Sequence, residues 1–145
     1  MPKHTRIERA SIESLLPNFL RDAAAKPFRY GHFDCFLFPA DWCKAARGTD
    51  PASEIRSRYH DLNSGLALAG AKNLPAAFRR LLRSAGLRST RSPVVGDIAL
   101  IALADLQPRG TIVARSGYVL LGEGLGLSRV RFEGARRLAA WSIDA

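Results

Sequence analysis

At 145 residues the chain has the length of one domain, and its 47% apolar against 24% charged content is enough to bury a core without disulfide or metal staples. No apolar run approaches the roughly 18 residues needed to cross a bilayer, and the basic start Met1-Pro2-Lys3-His4-Thr5-Arg6 is not followed by a signal-like apolar block. The 22 basic and 13 acidic residues give +9, an excess suited to a polyanionic partner, either nucleic acid or an acidic protein surface.

Residues 8 to 25 predict a first helix, with Ile12, Leu15, Leu16, Phe19 and Leu20 as its apolar stripe. Pro17 either kinks this helix or starts a second one, and Lys26-Pro27 imposes an extended approach to the next segment. That segment, Phe28-Arg29-Tyr30-Gly31-His32-Phe33-Asp34-Cys35, is an aromatic loop that delivers a cysteine to the start of a helix over residues 34 to 46. Gly31 permits a tight turn, Asp34 is a suitable N-cap, and Gly48 ends the helix. Phe36, Leu37, Ala40 and Trp42 make the helix apolar almost all round, as a central buried helix is.

Cys35 then falls in the first turn, where unpaired amides and the helix dipole favour a thiolate, so it is the candidate nucleophile. The competing reading is a small core residue. Cys35 and Cys43 are eight residues apart, about 12 Å along a helix at ~1.5 Å per residue, which is beyond disulfide reach. Two thiols and His32 do not complete a zinc site, so no metal and no cofactor is expected. Free thiols point to synthesis in a reducing cytoplasm.

Further along, Asp50-Pro51 to His60 predicts a short third helix, and residues 64 to 72 are left as a small-residue helix or an irregular connection. Leu74 to Ala85, capped by Asn73 and closed by Gly86, predicts an amphipathic helix with its arginines on the solvent side. The cluster Arg79, Arg80, Arg83, Arg88 and Arg91 contains no acid, but no aromatic is interleaved with it. A solvated helix face therefore ranks ahead of a nucleic-acid site. After Pro93 the texture changes to strands over residues 97–103, 111–115, 117–121, 128–132 and 137–143. Helices followed by strands predict an α+β fold in a single domain over 1–145, with N-terminal helices packed on a C-terminal antiparallel sheet.

The aromatic loop with Asp34-Cys35 resembles the catalytic-cysteine segment of NlpC-type cysteine peptidases, papain-fold enzymes that cut peptidoglycan stem peptides. The whole chain is similar to small phage and prophage proteins related to them, through Gly48-Thr49-Asp50-Pro51-Ala52, Arg58-Tyr59, Gly96-Asp97, Gly117 to Gly122, Gly126-Leu127 and Ala140-Trp141. The resemblance implies a papain-like fold, Cys35 as nucleophile and a histidine base at the position of Ser116. No histidine follows His60, and neither Ser116 nor its neighbour Arg115 can act as a base near neutral pH. Ser128 would fall at the third polar position of the family's triad. His32, three residues before Cys35, and His60 remain as candidate substitute bases, against the alternatives of a loop histidine bound to backbone and a helix-terminal surface residue.

The expectation is therefore a virion protein of a phage tail or tail tip, made in the bacterial host cytoplasm. Its NlpC-like domain would be a degenerate enzyme that docks other tail proteins, such as a tail-tip hub, and possible contact with peptidoglycan follows from the resemblance. One alternative is an active peptidoglycan-cleaving cysteine peptidase or amidase using Cys35. A nucleic-acid-binding module is the third reading, and nucleic acid is the partner the residues favour least.

Overall fold

The apolar periodicities assemble into four helices followed by a six-stranded antiparallel sheet in the computed structural model, which describes residues 9–144. The helices are α1 (Arg9–Ala24), α2 (Leu37–Arg47), α3 (Leu62–Ala69) and α4 (Leu74–Ser84). The strands are β1 (Arg88–Ser89), β2 (Ile98–Ala102), β3 (Pro108–Ala114), β4 (Gly117–Gly122), β5 (Gly126–Val130) and β6 (Arg136–Ser142), in spatial order β1-β6-β2-β3-β4-β5. Among the described residues no helix is long and apolar enough to cross a membrane. The expectation of a basic Met1 to Arg6 start falls outside the described residues.

Helix α1 is continuous through Pro17, which sits on its exposed side. Ile12, Leu16 and Ala23 face the core, whereas Leu15, part of the expected stripe, is 40% exposed. Phe19 of α1 lies against Phe38 and Trp42 of α2. Pro39 falls in the first turn of α2, where a missing N–H costs little.

Strand alternation divides the sheet into two faces. Ile98, Leu100, Ile112, Ala114, Val119, Leu121 and Trp141 join the helices in the main core, while Ala99, Ile101, Val113, Tyr118 and Ala140 form a smaller cluster on the other face. The β5–β6 connection covers that second face. It runs from the β5 edge back to β6 through a 3-10 turn, Phe132–Gly134, and Phe132 meets Tyr118 edge-on at 5.0 Å.

One bond fixes α2 on the sheet and one carboxylate ties the strand ends beside it. Trp42 Nε1 donates to the Gly96 carbonyl at 2.7 Å, and the buried Asp97 carboxylate accepts from Val94 N–H at 2.8 Å and Ile143 N–H at 2.9 Å. The Gly-Asp pair that opens β2 is thus a tether between strand ends. On the helix side of β3, Gly110 leaves the space that the Phe78 ring occupies.

Two segments depart from the sequence expectation. Residues 51–57 form consecutive turns in place of a third helix. Ser57 takes a left-handed φ of 65°, and its N–H donates to Gly31 at 2.8 Å, so the chain leaves any helical path to bond the cysteine loop. Residues 62–69, in contrast, are a true helix, because Asp61 accepts from Ser64 N–H at 2.7 Å while the Ser64 side chain reaches back to the backbone N–H of Asp61. β1 is short enough that no periodicity could announce it.

Candidate functional site

The loop before α2 is wound around a buried carboxylate. Asp34, 1% exposed, accepts from the N–H groups of Gly31 (2.9 Å), Phe36 (3.0 Å) and Leu37 (2.9 Å) and from the Tyr59 hydroxyl (2.6 Å). Its own carbonyl accepts from Phe38 N–H at 2.9 Å, but Pro39 has no N–H to donate to the Cys35 carbonyl, so α2 starts at Leu37 rather than at the expected Asp34 and Cys35 lies in the turn that leads into it. Gly31 has φ of 84°, and a Cβ there would collide with the Tyr59 carbonyl, which explains the glycine in this loop. Arg56 braces the following turns by pairing with Asp41 of α2 at 2.8 Å and with Asp50 at 2.7 Å.

Cys35 faces an apolar slot between the loop and the α3–α4 pair. Tyr30, Tyr59, Leu62, Leu66, Leu74 and Leu81 contribute to its walls, and its volume is about 30 Å³, the room of about one water molecule. The helix amides expected to favour a thiolate are present, but burial and, after it, the Asp34 charge outweigh them. The Cys35 thiol is pushed up from an ordinary 9.0 to about 12. Cys43, fully buried in α2, is also raised to about 12 by burial. Both cysteines are free. Tyr59 is raised by burial and then by Asp34, so its hydroxyl remains the donor in the Asp34 bond.

The candidate bases lie elsewhere. His32 is exposed because the turn that closes Arg29 onto Phe33 carries it outward. It lines a separate depression of about 450 Å³ with Arg29, Ser57, Arg58 and His60, and Tyr30 and Tyr59 contribute to both that depression and the Cys35 slot. His60 is exposed, with Nε2 3.5 Å from an Asp61 oxygen.

Ser116 is exposed in the β3–β4 turn, and its neighbour Arg115 reaches α1, 3.1 Å from Glu13. Glu123, whose charge Cys35 feels, lies just past the end of β4 opposite to Ser116, about 23 Å along the strand at ~3.3 Å per residue. The structure therefore brings neither Ser116 nor Arg115 to Cys35. Ser128 is half-buried in β5, paired with Leu120.

What the sequence reading missed is the Asp34–Tyr59 bond and the position of Glu123. The first had a signal, an acid in a Gly-x-x-Asp turn, but its partner is 25 residues away. Among the described residues no group of three or more His, Cys, Asp or Glu side chains could hold a metal ion.

A family model described as a domain of unknown function (DUF6950) matches residues 8–143. No curated protein and no solved structure matches the chain.

Proposed function

The chain belongs to the DUF6950 family, whose model spans nearly all of it, and from the resemblance of its cysteine segment together with the site geometry we propose a phage tail or tail-tip virion protein whose NlpC-like, papain-type domain is a non-catalytic docking module. One observation carries the loss of catalysis. Cys35 is held as a thiol near 12 in a slot of about 30 Å³ whose lining includes no imidazole. Amide cleavage by a thiol requires a base to form the nucleophile and an acid to protonate the leaving nitrogen, and the slot lining supplies no imidazole for either role. Supporting the papain-type reading are the position of Cys35 in the turn that leads into a helix laid on an antiparallel sheet and the order of helices before strands.

Phage assembly and peptidoglycan hydrolysis provide the test. A Cys35→Ala variant is expected to support particle assembly as the unmodified chain does, and the purified protein is expected to release no stem-peptide fragments from peptidoglycan. Fragment release abolished by Cys35→Ser in folded protein would establish the peptidase alternative, and further loss in His32→Ala would identify the base. Absence of the chain from purified particles would remove the virion assignment.

A further inference from the structure

The arginines of the cluster are exposed, as expected of a solvated helix face, and they also line a groove. Ala76, Arg79, Arg80, Arg83 and Ser84 recur at helical spacing along one side of α4, and the chain then turns at Gly86 and returns as β1, bringing Arg88 and Arg91 opposite them. Together they line a groove of about 1150 Å³ whose floor includes Leu87, Ala139, Ala140 and Trp141. No carboxylate lines it. Among the described residues, Arg79, Arg80, Arg83, Arg88 and Arg91 make no ion pair, whereas Arg56, Arg109 and Arg115 each do. Arg80 has a local role, since its guanidinium lies beside Gly70 at the C-terminus of α3, where a cation is favoured. The other four are exposed cations held close together, an arrangement that repels itself until an anion enters.

We propose that the α4–β1 groove is a docking site for an extended, acidic segment of a partner protein. Charge complementarity selects the sign of the occupant, and arginine forks suit carboxylates through paired hydrogen bonds. The shape selects its class. The groove runs between one helix and one short strand over an apolar floor, which the side chains of a single polypeptide can cover and a phosphate backbone leaves bare. A single-stranded nucleic acid would look for exposed aromatic faces, and the one aromatic in the lining, Trp141, is 4% exposed and occupied with Phe78. The apolar floor suits the alanine-sized or aliphatic side chains that alternate with acids in an extended segment. The groove lies away from Cys35 and needs neither the virion reading nor an idle thiol, so its failure leaves both standing.

The test titrates the full chain into a fluorescein-labelled peptide of alternating glutamate and alanine, followed by fluorescence anisotropy. An equal-length glutamine–alanine peptide and a random-sequence DNA duplex serve as comparisons. Binding of the acidic peptide is expected, weakened about tenfold or more by Arg79→Glu with Arg83→Glu and separately by Arg88→Glu with Arg91→Glu. Arg129→Glu with Arg131→Glu, which makes the same change in net charge at the β5 edge, is expected to retain it. Amide chemical-shift changes on peptide addition are expected to be confined to residues 76–91 and 139–141. Equal loss in all three double variants, no binding of the acidic peptide, or tighter binding of the duplex would each overturn the proposal. Circular dichroism establishes that each variant is folded, and all of the substituted side chains are exposed.

Discussion

Asp34 illustrates how one side chain can serve a fold and silence a neighbour. Its four donors are all neutral, so the carboxylate is solvated inside the protein without being neutralised, and its charge reaches Cys35 beside it. Burial is the larger cause of the raised thiol and Asp34 the next. Asp34→Asn keeps an N-cap acceptor and removes the charge, so Cys35 is expected to react faster with iodoacetamide at mildly alkaline pH, as mass spectrometry of the labelled peptide would show. An unchanged rate would place the whole effect in burial. Tyr59→Phe removes the hydroxyl that ties the loop to the turn of residues 51–57, and is expected to cost about 1–2 kcal/mol in denaturant unfolding. A change within error would mean that water replaces the hydroxyl at Asp34.

Elements fit one another here through small residues at defined places. Gly110 in β3 has an ordinary backbone conformation, and its role is space: a Cβ would run into the Phe78 ring, which is fully buried and stacked edge-on at 4.9 Å against Phe36 beside Cys35. Gly110→Ala is therefore expected to destabilise the protein by about 1–3 kcal/mol through overpacking. Adding Phe78→Leu is expected to recover part of that loss, so that the two changes are non-additive in a double-mutant cycle. Strict additivity would show that α4 shifts as a body to admit the methyl group. The same dependence on tertiary fit explains the segment 51–57. Its composition allows a helix, but the bond from Ser57 to Gly31 and the pull of Arg56 between Asp41 and Asp50 hold it as turns.

At the scale of the molecule, both thiols and Tyr59 hold their protons above the values they would have in an unfolded chain. For the two thiols the folded pKa is raised, so the native state binds more protons than the unfolded state on the alkaline side and the stability they contribute is complete below about pH 9 and lost as pH rises toward 12, while Tyr59 acts in the same direction from a higher starting value. The melting temperature is expected to decline progressively above pH 9, and less steeply in Cys43→Ala, which removes a fully buried thiol. Parallel decline in the two proteins would assign the alkaline loss to other groups. The sequence by itself determined the order of helices before strands, the use of Asp34 as acceptor for the amides that follow it and the amphipathic α4, because each is written in spacings of a few residues. Only the tertiary structure decided which groups meet Cys35. Arg115-Ser116 and Glu123 lie just beyond opposite ends of β4, and strand direction carries Arg115 to Glu13 of α1 and leaves the Glu123 charge on the side of the thiol. The arginines likewise became a groove only when the turn at Gly86 folded β1 back along α4, a long-range placement set by pairing with the last strand, Arg88 opposite Ser142.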